Sequence, residues 1–209
     1  VSPCALALGL LARGARPRWA LLVAPLFALA WADRGGLAAA GAAVVLAALS
    51  CVALGVLLAT VTPPRWLAAG IVTMAVADTA LVVSDLLQRP NNALNAAHPV
   101  AGLPRLQSAV FGSAVMGYGD LFIAGVLGGL LAVSGRRPLQ LRGALLTGAF
   151  ALAFDLLFLL VNELPATVPV ATALIVLILT GGWARARPRR APAAALPVRG
   201  RPARTPAAR

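Results

Sequence analysis

The sequence predicts an all-α protein, a polytopic transmembrane helix bundle of about seven spans with the first one partial. Three observations predict it. Of 209 residues, 60% are hydrophobic and 11% charged, and the mean hydropathy is +0.89. A soluble domain of this size could not hide so much apolar surface, so its solvent must largely be lipid. Several apolar runs reach the ~20 residues that cross a bilayer as a helix. No run alternates as barrel strands do, and a backbone in lipid is otherwise confined to helices.

The elements follow in order. The stretch 4–12 is apolar but too short to span, and it reads as the end of a helix that begins upstream. The chain starts with Val1, so a truncated N-terminus is expected; a cleaved signal peptide is the alternative, though its basic leading region is missing. Spans are then predicted at about 18–33, 37–61, 66–88, 107–134, 140–162 and 165–183. The breaks between them are Asp33-Arg34-Gly35-Gly36, Pro63-Pro64-Arg65, the polar stretch 89–105, Gly135-Arg136-Arg137-Pro138 and Asn162-Glu163-Leu164-Pro165. Residues 1–184 thus form the membrane domain. Residues 185–209 are Arg, Pro and Ala without apolar periodicity, a disordered tail whose arginines can rest on anionic headgroups.

The net charge of +12 comes from 18 basic residues, all of them arginine. Nearly all sit between apolar runs or in the tail, which is the distribution that topology requires, and this argues against nucleic acid as a partner. Arg13, Arg16, Arg18, Arg65, Arg136, Arg137, Arg142 and the tail fall on one side, and Arg34, Arg89 and Arg105 on the other. The positive-inside rule makes the tail cytoplasmic and places loop 89–105 outside. Arginine without lysine, beside abundant alanine and glycine, fits a GC-rich coding genome. Cys4 and Cys51 lie in apolar runs without ligand spacing and read as small packing residues.

The six acids carry the chemistry. Asp33 and Glu163 lie at span ends, within reach of water. Asp78, Asp120 and Asp155 fall inside predicted helices, and Asp85 falls near an outer end. An ionisable group at the bilayer centre costs ~3 kcal/mol, so each is a functional candidate. Asp78 is expected roughly 15 Å, and Asp120 roughly 20 Å, from the outer ends of consecutive antiparallel helices, so the two carboxylates can meet. Paired carboxylates in a low-dielectric site share a proton, and one can then act as base on a common water. Gly117 and Gly119 would let water or a peptide backbone approach Asp120. Gly125 and Gly129, at small-xxx-small spacing, permit close helix contact.

Gly117-Tyr118-Gly119-Asp120, continued by Leu121-Phe122-Ile123, resembles the GxGD motif of the presenilin and signal peptide peptidase family of intramembrane aspartyl proteases. Asp78 matches that family's first catalytic position, with Ala77 where a tyrosine is usual. Pro165-Ala166-Thr167 matches its Pro-Ala-Leu motif with Thr in place of Leu, 45 residues after Asp120. The resemblance covers about 66–183. It implies a presenilin-like bundle in which this chain would hold the third to ninth of nine spans, oriented as in signal peptide peptidase. It also implies a hydrolase that cleaves transmembrane helices without a metal or organic cofactor. Asp78 and Asp120 would be catalytic, and Gly117, Tyr118, Gly119, Pro165, Ala166 and Thr167 would shape the substrate site. The implied partners are a transmembrane peptide and the lipid bilayer, in a bacterial plasma membrane.

Two other readings stay open. Residues 84–91, SDLLQRPN, faintly resemble the first-aspartate segment of prepilin peptidases and would make Asp85 catalytic, although no spanning helix separates it from Asp120. A non-enzymatic transporter or scaffold would use the acids as proton relays, but would give no reason for Pro165-Ala166-Thr167. His98, Pro99 and Pro104 read as features of the outer loop.

Overall fold

The computed structural model describes residues 12, 16–33, 36–86, 90, 92–93, 96–97, 103–104, 106, 108–111, 114–134, 137–157 and 164–181. Cys4, Arg13, Arg34, Arg89, His98, Pro99, Arg105, Arg136, Glu163 and the tail from 185 lie outside the described residues.

A 3-10 turn, Pro17–Leu22, runs into α1, Val23–Ala32. Next come α2, Leu37–Val61, and α3, Pro64–Val83. A short antiparallel hairpin, β1 Ser108–Phe111 and β2 Ala114–Gly117, precedes α4, Tyr118–Val133. The described residues close with α5, Arg137–Leu157, and α6, Val168–Leu179. Among the described residues three helices, α2, α3 and α5, are long and apolar enough to cross a membrane.

The outer surface fits a lipid environment. Leu57, Val61, Val76, Leu152 and Leu156 are all more than half exposed, a surface that water would penalise and hydrocarbon would not. Trp66 is also exposed at the start of α3, where the Arg65 guanidinium lies 5.8 Å from its ring centre. A tryptophan beside an arginine at a helix end is the usual furniture of a membrane interface.

The centre of the bundle is the contact of α2 with α4. A Cβ on Gly125 would sit 2.5 Å from the Cys51 carbonyl oxygen, and one on Gly129 2.5 Å from that of Gly55. The small-residue spacing seen in the sequence therefore does bring two backbones into contact. Its partner is α2, through Cys51 and Gly55, and the helices run parallel, since 51 and 55 meet 125 and 129 in the same order. Cys51 is fully buried there as a free thiol.

One predicted span needs correction. The span predicted at 107–134 is not a single helix: 108–111 and 114–117 pair as strands, and the helix begins only at Tyr118. Ser108 pairs with Gly117 and Phe111 with Ala114. Glycine followed by a small polar residue between two such runs is a hairpin signal, and apolar composition masked it. Two smaller corrections apply. The helix expected to 88 ends at Val83, and the span expected from 165 becomes helical only at Val168.

Candidate active site

Three helices supply the site, and α3, α4 and α6 pack against one another to build it. Asp78 lies in the last two turns of α3, and Asp120 in the first turn of α4. Thr167 is the residue just before α6.

The two carboxylates are close enough for the charge of Asp78 to act on Asp120. Measured from the opposite helix ends, Pro64 and Val133, both lie about 20 Å along their helices at 1.5 Å per residue. Depth is fixed independently by Tyr118, whose hydroxyl shares a hydrogen bond with Ser50 in the middle of the 25-residue α2. Asp120 is thus at mid-depth, but for a different reason from the expected one. It does not sit within a long helix; the hairpin carries the chain to that level and α4 starts there.

Asp120 is held at the helix start. Its carboxylate at the third helical position accepts a hydrogen bond from the N–H of Gly117, the residue that caps α4. This is one arm of a capping box, and it satisfies an N–H that the helix itself leaves free. A Cβ on Gly117 would lie 3.1 Å from Asp120 Oδ2, tight enough to push the carboxylate aside. A Cβ on Gly119 would meet nothing within 4 Å. The two glycines of the motif therefore differ: Gly117 makes room for Asp120, while Gly119 leaves open space next to it.

Asp78 is held from α6. Thr167 donates to its Oδ2 twice, from Oγ1 at 2.6 Å and from the backbone N–H at 3.3 Å. Thr167 is itself buried, at 3% exposure, and Pro165 and Ala166 are half-buried beside it. The backbone N–H is available because Pro169 and the unwound Pro165–Thr167 turn stop the helix from continuing backwards. No local pattern marks this threonine as the partner of an aspartate, since only tertiary contact joins positions 89 residues apart.

Asp85 has a structural task instead. Its φ is +54°, the left-handed conformation, and its N–H bonds to the Val82 carbonyl while that of Leu86 bonds to Leu81. This pair of bonds is the Schellman closure of a helix C-terminus, at a position that favours glycine but admits Asn or Asp. Asp155 is half-buried in α5. Among the described residues no three His, Cys, Asp or Glu side chains gather as metal ligands.

No protein-family model, curated protein or solved structure matches the chain.

Proposed function

We propose that the chain is an intramembrane aspartyl protease, a presenilin-like bundle of about seven spans. The observation that carries this reading is the approach of Asp78 to Asp120 at mid-depth, with Gly119 open beside them. Asp78, which accepts two hydrogen bonds from Thr167, takes the role of base. It removes a proton from a water molecule whose oxygen attacks the peptide carbonyl carbon, while Asp120 donates its proton to the carbonyl oxygen. Collapse of the resulting gem-diol breaks the C–N bond, and the proton held by Asp78 passes to the departing amine. One gem-diol hydroxyl gives its proton to Asp120 as the new carboxyl group forms, so the pair returns to its starting state, with Asp120 protonated and Asp78 ionised.

Water must reach such a pair, and the hairpin supports that. The outer edge of β2 has no strand beside it among the described residues. An open sheet edge at membrane depth is tolerated only against protein or water. β2 leads straight to Gly117 and Asp120, so the same edge offers backbone groups to an unwound substrate segment. The turn Pro165–Thr167 borders the site from the other side. A cytoplasmic tail and a bacterial plasma membrane remain part of the proposal.

The test is cleavage of a tagged single-span peptide by the full-length chain in liposomes. Asp78→Asn and Asp120→Asn should each abolish it. Full cleavage by Asp78→Asn would overturn the pairing.

A further inference from the structure

A second feature lies apart from Asp78, Asp120 and Thr167, none of which lines it: a cavity of about 550 Å³ between α2 and the 3-10 turn with α1. Trp19, Val23 and Phe27 form one wall, and Leu46, Val52 and Val56 the other. Besides the Trp19 indole, polar side chains line it at two places. Ser50, in the middle of α2, and Tyr118, at the start of α4, face the cavity, but their hydroxyls satisfy each other. Arg16 stands at the end near Val56, and among the described residues it has no ion-pair partner. Arg18 and Arg65, both exposed, belong to the same end of the bundle.

We propose that this cavity holds one acyl chain of an anionic glycerophospholipid, with the phosphate on Arg16. A half-open apolar pocket facing a bilayer fills with hydrocarbon, because water finds no partners there and an empty pocket forfeits dispersion contacts. From Arg16 to Phe27 it runs about 18 Å at 1.5–2 Å per residue, close to one leaflet of a hydrocarbon core about 30 Å thick. Spread over that length, 550 Å³ leaves a channel narrower than the 10–12 Å of a helix with its side chains. A substrate helix therefore does not fit, whereas a chain does. The Arg16 guanidinium at one end, without an ion-pair partner among the described residues, selects a lipid carrying net negative charge.

The experiment is native mass spectrometry of the full-length chain, equilibrated in detergent with phosphatidylglycerol or phosphatidylcholine. A phosphatidylglycerol bearing a diazirine at the acyl end would map the site. One phosphatidylglycerol should be retained about fivefold better than phosphatidylcholine, which is what one arginine contributes at an anionic surface. Arg16→Ala should erase that preference and Arg16→Lys keep most of it. Ala53→Trp, which puts an indole into the cavity, should remove both the bound lipid and crosslinks to Ser50 and Tyr118. Equal retention of the two lipids, retention of a free fatty acid instead, or crosslinks unaffected by Ala53→Trp would overturn the proposal. None of these outcomes depends on proteolysis.

Discussion

The hydroxyl of Thr167 donates to Oδ2 of Asp78 at 2.6 Å, and the Thr167 N–H points to the same oxygen. Two donors from one residue fix both the position and the orientation of the carboxylate. A bond to a charged group contributes about 1.5–3 kcal/mol, so losing the hydroxyl is expected to slow cleavage roughly ten- to a hundredfold. Thr167→Val keeps the branched shape and isolates the bond, and Thr167→Ser restores it. Cleavage rates in liposomes check this, and a fully active Thr167→Val would show that the bond does not position Asp78.

Asp85 separates a helix cap from a catalytic acid. Asp85→Asn and Asp85→Gly should leave cleavage intact, because both residues accept φ near +54°. Asp85→Val should lower the melting temperature, since a branched side chain pays about 1–2 kcal/mol in that conformation. If Asp85→Asn abolished cleavage while stability was unchanged, Asp85 would have to be a catalytic partner.

The two glycines before Asp120 should respond differently. Gly117→Ala crowds the Asp120 carboxylate and is expected to cut activity, whereas Gly119→Ala meets no protein atom within 4 Å and should fold as well as wild type. Lost cleavage in a Gly119→Ala protein of normal thermal stability would mean that the open space is used by substrate. Lost stability would instead mean that the space is filled by protein.

Gly125→Val and Gly129→Val should be the most damaging changes, because the new Cβ would enter the carbonyls of α2. Neither helix can yield without opening the centre of the bundle. Melting in detergent, followed by size exclusion, should show little folded protein. Wild-type melting in either variant would place the helix contact elsewhere.

Thr147 offers a change in the other direction. Its Oγ1 is buried without a hydrogen-bond partner among the described residues, so Thr147→Val removes an unmet polar group at almost constant volume. A gain of about 1 kcal/mol is expected in detergent unfolding, and a loss of that size would reveal a partner such as a bound water.

Much of the helical layout was legible because it follows from composition along the chain. The run 37–61 is apolar throughout and became α2 with those bounds. The rarity of acids drew attention to Asp78 and Asp120, and small-xxx-small spacing drew attention to Gly125 and Gly129. The pairing of 108–111 with 114–117 was less visible, because SAVF and AVMG are mostly apolar and sit within a run of membrane-span length.

What the sequence determined by itself is where the lipid-facing helices lie and which rare polar residues they must accommodate, since both are properties of local residue chemistry. The tertiary structure decided the partners. Which helix Gly125 and Gly129 touch, why Asp120 stands at mid-depth, and that Thr167 holds Asp78 all depend on residues far apart in the chain. Those contacts are selected by the shape and hydrogen-bond satisfaction of the packed bundle, and no local pattern encodes them.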